Sequence, residues 1–253
     1  MSETDRVLSA EAWRIKNESR FDEALTLISL AIEHNPDNYD YWNIKAIVLD
    51  DLKRFDEAQE FYDRAYELSE MRVIRQNKAR SLFRWAKKLH FPDCEYEKAL
   101  EVIDEALEIS PNEKEYWFLK GEILEATGNL IDARKAYYRA ENEEEKLEDL
   151  EYQLDLFDIL KSERIICVAG TAFYRGLEPF KVGTVLDLVR EPENEHDSDA
   201  VRVEIAGVTV GYVANSDYTA VEGVLRASEL DEADTRAEVS MIYLNELVIA
   251  KII

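Results

Sequence analysis

Between residues 5 and 142, apolar positions recur every three or four residues, the spacing of a helix with one buried face. Small residues fall at fixed places within that stripe. Phe21, Ala24, Ile28 and Ala31 form one such face, and Pro36 follows it. The arrangement returns as Phe55, Ala58, Tyr62 and Ala65, then as Tyr96, Ala99, Ile103 and Ala106 before Pro111. A fourth copy reads Leu130, Ala133, Tyr137 and Ala140. Ala24, Ala58, Ala99 and Ala133 are 34, 41 and 34 residues apart. That period predicts helix-turn-helix hairpins stacked into a solenoid. The alanines are needed where helices cross, because larger groups would force the axes beyond the usual packing distance of about 8–10 Å.

The first hairpin is expected over Asp5 to Asn35 and the second over Asp40 to Glu70, with Trp42, Ala46 and Leu49 on its first helix. The fourth runs from Lys114 to Asn142, with Trp117, Gly121 and Leu124 before a turn at Gly128. The third carries seven extra residues, expected as a longer first helix or a larger turn around Lys87 to Glu95. A further helix follows over Glu141 to Glu163. Leu147, Leu150, Leu154 and Phe157 lie on one face and Glu144, Glu145, Glu148, Asp149, Glu151 and Asp155 on the other. Such a polar-backed helix suits the closing of the last repeat. A dimerising coiled coil is the alternative, on a stripe barely two heptads long.

After Ser162 the period changes to that of short strands. Apolar or alternating runs occur at Arg164–Gly170, Val182–Val189, Ala200–Ile205 and Val208–Val213, with Ala206-Gly207 as a hairpin turn. Asn215 to Ser228 reads as one helix with Val221, Val224 and Leu225 on its apolar side, and Glu238–Met241 and Leu247–Ile252 supply the last strands. Short strands closed by one helix predict a small β-barrel. The fold class is therefore α+β and multidomain: helical repeats over residues 1–142, an acidic capping helix over 143–162 and a barrel over 163–253.

The net charge of −24 bears on partners. A polyanion is repelled at long range and gains little from counterion release on a protein short of cations, so any nucleic-acid contact must rest on a local site. The plainer reading of the acidity is solvated helix faces. Residues 72–90 are the exception, with seven cations (Arg72, Arg75, Lys78, Arg80, Arg84, Lys87 and Lys88) and no acid. Either acidic neighbours in the same chain hold this helix, or Arg80 and Arg84, one turn apart, face a groove and bind an acidic peptide or a terminal carboxylate.

No apolar run approaches the roughly 18 residues of a membrane span. The stretch from Met1 to Asp5 lacks the features of a signal peptide. Cys94 and Cys167 make no motif with the three histidines and read as buried or half-buried free thiols. The expectation is a cytoplasmic globular protein without cofactor or membrane contact.

The repeats resemble tetratricopeptide repeats over residues 5–142, in the offsets of aromatic, small residue, turn glycine, alanine, aromatic, alanine and proline. That resemblance implies a groove for an unnamed protein or peptide. Residues 163–253 resemble the HIRAN domain, a modified OB-like barrel. The resemblance lies in Val168-Ala169-Gly170-Thr171-Ala172-Phe173-Tyr174, in Pro192-Glu193-Asn194-Glu195-His196-Asp197-Ser198-Asp199-Ala200, and in Gly211-Tyr212-Val213. It implies binding of the 3′-hydroxyl end of single-stranded DNA, with Phe173 and Tyr174 stacking on bases, Asp197 accepting the hydroxyl, and Asn194, His196 and Tyr212 in the same site. Three positions depart from it: Ala172 stands for an arginine, Tyr212 for a histidine and Asn215 for a phosphate-binding lysine. The segment itself carries eight Lys and Arg against seventeen Asp and Glu. Phe173 and Tyr174 also admit a reading as partial core residues.

Glu193 to Asp199 offers carboxylates to a hard cation but lacks the glycine and distal glutamate of a calcium loop. No phosphate-binding glycine loop, nucleophile elbow or HExxH motif occurs. The expectation is a non-enzyme: an adaptor joining a peptide groove to a weak DNA-end site or, alternatively, a scaffold whose barrel has lost DNA binding.

Overall fold

The computed structural model describes residues 3–216 and 218–253. Met1 and Ser2 of the amino-terminal stretch, and Asp217 in the segment read as a helix, lie outside these. Two compact units divide the chain, Met1–Glu144 and Glu145–Ile253.

The first unit holds eight helices among the described residues: α1 (Glu3–Asn17), α2 (Phe21–His34), α3 (Tyr39–Asp51), α4 (Phe55–Leu68), α5 (Arg72–His90), α6 (Tyr96–Ile109), α7 (Lys114–Ala126) and α8 (Leu130–Glu141). They pair as antiparallel hairpins, and the repeated alanines Ala24, Ala31, Ala58, Ala65, Ala99 and Ala106 are fully buried at the crossings. Gly121 serves the same end, since a Cβ there would fall 2.4 Å from the Tyr137 ring. The proline-tryptophan spacing has a local cause. The indole N–H of Trp42 donates to the Pro36 carbonyl at 2.7 Å, and Trp117 repeats the bond to Pro111 at 2.7 Å. Within the hairpins, Ser19, Lys53, Cys94 and Gly128 take left-handed backbone at the turns. The third hairpin divides its insert between an α5 of 19 residues, against 13 for α3 and α7, and a longer connection before α6.

The second unit is a closed antiparallel barrel with a helix against it. The strands are β1 (Ile165–Ala169), β2 (Val185–Arg190), β3 (Val201–Ile205), β4 (Val208–Val213), β5 (Arg236–Tyr243) and β6 (Leu247–Ile252), in the order β1-β4-β3-β2-β5-β6. Bulges interrupt the ladder at Val203/Glu204 and Val239/Met241, where extra twist helps a short barrel to close. The unbroken apolar run of β1 follows from burial on both faces. Ile166 and Val168 point into the barrel with Leu186, Leu188, Val203 and Val248. Ile165 and Cys167 point outward under α9 (Glu144–Leu160) with Met241, Tyr243 and Ile249.

Three expectations change. Leu154 and Phe157, read as part of a cap for the repeats, belong to the outer core of the barrel. Phe157 stacks on Tyr243 at 4.5 Å, and the Leu244 N–H donates to Gln153 at 2.7 Å. The stretch 215–228 is not a helix in its described residues. Leu225 N–H instead donates to the Ile165 carbonyl at 2.7 Å, Gly223 has φ +89°, and a short 3₁₀ turn covers Ala227–Glu229. Its apolar residues keep their burial through backbone pairing with β1 rather than through a helical face. The thiols also differ from each other: Cys94 is exposed, while burial pushes Cys167 up to about 11.

Candidate functional site

The barrel carries a pocket of about 530 Å³ where the ends of β1 and β4 meet the loop before β3, a size suited to a small-molecule group. Its geometry starts with Gly170, whose φ of +73° ends β1 and opens a tight turn over Thr171–Phe173. That turn presents Phe173 90% exposed and Tyr174 43% exposed, so neither is a core residue. A large aromatic left so bare at a pocket wall has no folding role of its own.

The facing loop is tied by its own hydrogen bonds. Asn194 accepts backbone N–H bonds from His196 at 3.0 Å and Asp197 at 3.3 Å, and donates to Glu191 at 3.1 Å. Asp197 accepts from the Asp199 backbone N–H at 2.9 Å and from the Asn215 amide at 2.8 Å. Asn215 in turn accepts from the Ser228 backbone N–H at 3.1 Å, which settles which way its amide points. Tyr212, its ring tilted against Tyr174 at 6.2 Å, donates its hydroxyl to Glu191 at 3.0 Å. Bonds from Asn194 and Tyr212, together with the Arg202 guanidinium, hold Glu191 below the usual carboxylate range. Burial, followed by Glu191, pushes Tyr212 up to about 12.

The lining therefore joins Phe173, Tyr174, Asn194, His196, Asp197 and Tyr212, the six residues singled out from the sequence. It contains no lysine or arginine among the described residues. Arg202 is consumed by Glu191 and Glu204, and Arg175 and Lys181 do not line the pocket. Sequence reasoning missed Ser216 and Thr219 as lining residues, and read Asn215 only as a replaced lysine. The signal was the polar run Asn215-Ser216-Asp217-Tyr218-Thr219, whose members favour turns over helix interiors. Within that run Tyr218 is fully exposed. No group of acids, histidines or cysteines among the described residues has the geometry of a metal site.

A second concavity, of about 710 Å³, lies in the first unit along α1, α3 and α5. Arg80 and Arg84 both line it, with different fates. Arg84 pairs with the buried Asp50 and with Asp51 at 3.3 Å. Asp50 also accepts from the Ser81 hydroxyl at 2.9 Å, which accepts from Gln59 at 3.0 Å. Arg80 is exposed and forms no ion pair with any described residue. Elsewhere on α5, Lys78 bridges Asp63 and Glu105 at 2.7 and 2.9 Å, and Lys88 pairs with Asp93 at 2.7 Å. Asn43 and Asn77 face each other across the groove, joined by a 3.1 Å bond.

A family model described as Tetratricopeptide repeat matches residues 10–70 and 95–144, and one described as HIRAN domain matches residues 165–243. The chain carries tetratricopeptide repeats followed by a HIRAN domain. No curated protein matches it. Among solved structures, MamA residues 41 to the end from Desulfovibrio magneticus RS-1 aligns at TM-score 0.42 and 17% identity, covering 55% of this chain and 75% of that one. The first TPR of Spaghetti (RPAP3) bound to the HSP90 peptide SRMEEVD aligns at TM-score 0.37 and 19% identity, covering 51% and 96%. The HIRAN match spans every residue that lines the barrel pocket, and the gap between the two tetratricopeptide matches falls on α5, the cationic helix with the insert. No helix among the described residues is long and apolar enough to cross a membrane.

Proposed function

We propose that this chain is a non-enzymatic adaptor, cytoplasmic in keeping with its free thiols. Its tetratricopeptide groove takes an acidic peptide segment, and its HIRAN pocket weakly holds the 3′ end of a single nucleic-acid strand. The observation that carries the second arm is the gathering of exposed Phe173 and Tyr174 beside a preorganised Asp197 in one pocket. Stacking contributes about 1–3 kcal/mol per base and works without cations. A hydroxyl end donates to the carboxylate, whereas a 3′-phosphate would meet it with like charge.

Fluorescence anisotropy with a short labelled strand tests this. The expected result is tighter binding of a 3′-hydroxyl than of a 3′-phosphate end, with Phe173→Ala weakening it at least ten-fold. Each phosphate neutralised on a single strand contributes about 0.7 to the log–log salt slope. With no lysine or arginine in the lining, the slope should stay shallower than about −1. A slope several times steeper would show that binding occurs elsewhere.

A second reading has the barrel as a protein-docking module without nucleic-acid binding, and the same missing cations favour it. Absence of any strand binding at low salt selects that reading. Among the described cations lining the groove, Arg80 is the one without an ion pair. Arg80→Glu is expected to weaken capture of a glutamate-rich peptide by about ten-fold while leaving the melting temperature within a few degrees. Equal capture by the variant would remove Arg80 from the contact.

A further inference from the structure

The Asp197–Asn215 pair points to a narrower ligand than a strand end in general. It sits in the pocket beside two aromatic faces, with no lysine or arginine among the described lining residues, which favours an uncharged group on a stackable ring. A carboxylate offers about four acceptor sites. Asp197 uses one on each oxygen, for the Asp199 N–H and the Asn215 amide. Free acceptor positions remain. Asn215 is fixed at both ends of its amide, its oxygen by the Ser228 N–H and one amide hydrogen by Asp197. Its second amide hydrogen has no described acceptor. An acceptor and a donor thus stand side by side, 2.8 Å apart between Asp197 Oδ2 and Asn215 Nδ2. A lone hydroxyl meets only one of them well. Two hydroxyls on adjacent carbons meet both, one donating to Asp197 and its neighbour accepting from Asn215.

We propose that the pocket selects a terminal ribose, through its vicinal 2′,3′-diol, over a deoxyribose end. The inference rests on the reading of the pocket as a site for a strand end, and it names the sugar that site prefers. The aromatic faces of Phe173 and Tyr174 hold the terminal base, and the diol is read by Asp197 and Asn215. A deoxyribose leaves the Asn215 donor without a partner in the complex, the arrangement that discriminates best between otherwise similar ligands.

The test uses the full chain and four otherwise identical 5′-labelled strands. They end in a ribonucleotide, a deoxyribonucleotide, a 2′,3′-dideoxynucleotide and a periodate-cleaved ribonucleotide. The ribo-terminated strand is expected to bind about ten-fold tighter than the deoxy-terminated one, the equivalent of one good hydrogen bond. The dideoxy and periodate-cleaved ends should be weakest. Asn215→Ala should bring the ribo and deoxy ends to the same affinity. Because the comparison among strands is made on the unaltered chain, it does not depend on the variant folding. Free uridine as competitor separates the two sources of the diol. Competition at the strength of the ribo strand assigns recognition to the terminal nucleoside, and its failure assigns it to an RNA end; the diol preference stands in both. Equal binding of the ribo and deoxy ends overturns the inference while leaving the strand-end reading intact. No binding of any strand overturns both.

Discussion

Gly211→Ala is expected to destabilise the barrel by about 2–3 kcal/mol, a large effect for one methyl group. A Cβ at Gly211 would fall 2.7 Å from Val168 Cγ1 and 2.8 Å from the backbone oxygen of Ala169. The valine can turn, but the carbonyl cannot. Ala169 pairs with Tyr212 and Val168 with Val213, so moving that oxygen means opening the seam between β1 and β4. The strain lies beside the candidate site, because Gly170 follows Ala169 directly, with Phe173 three residues further on, and Tyr212 follows Gly211. Chemical denaturation of the full chain should show the barrel transition moved to lower denaturant, with the helical transition unchanged. Strand binding should fall with it. An unaltered barrel transition would mean that β1 and β4 are further apart than the structure places them.

Arg84→Met is expected to cost the repeat region about 2–3 kcal/mol, whereas Asp50→Asn should cost less than about 1 kcal/mol. The asymmetry follows from burial. The Asp50 side chain is 7% exposed and the Arg84 side chain 34% exposed. Burial pushes the Asp50 carboxyl up despite the opposing pull of Arg84 and the Ser81 hydroxyl. The charge on Asp50 is therefore held against its desolvation, and removing its partner leaves an uncompensated buried carboxylate. Asparagine keeps an oxygen for Ser81 and Arg84 while discarding that charge. In the Asp50→Asn background, Arg84→Met should cost much less, and the double-mutant cycle measures the coupling.

The pH dependence has a definite sign. A raised folded-state pKa means that the folded chain takes up a proton at higher pH than the unfolded chain. The penalty of Arg84→Met is therefore full at neutral pH and shrinks as pH falls through the folded-state value of Asp50. A penalty that grew on acidification would show that Asp50 is better solvated than its burial indicates.

Much of the candidate site was legible through the resemblance to the HIRAN domain, whose motifs are short and local in sequence. Phe173 and Tyr174 follow a strand-ending glycine, and Asn194 to Asp197 form one turn before a strand. Asn215 was read only as a replaced lysine. Its importance comes from Asp197, eighteen residues back, and from the Ser228 backbone, neither of which leaves a mark on spacing. The stretch 215–228 misled for a related reason. Val221, Val224 and Leu225 have helical spacing, yet the free backbone edge of β1 competes for Leu225 and wins.

The sequence by itself determined the repeat period, the hairpin register, the change to strands after Ser162 and the aromatic and acidic residues of the pocket. The first three follow from periodicities of 3.6 and 2, which record how one element alternates between a buried and a solvated face; the pocket residues follow from the resemblance to the HIRAN domain. Tertiary structure decided what each face is buried against. It gave Arg84 its partners in Asp50 and Asp51, more than thirty residues away, and left Arg80 without an ion pair among the described residues. It set Phe157 of α9 against Tyr243 and Ile249 of the barrel. It also turned the Asn215 amide toward Asp197. A periodic pattern specifies that an apolar or charged side chain will be covered, but many surfaces satisfy that requirement equally. Only the closed chain, where each polar group must find a partner and each apolar face a neighbour, selects among them.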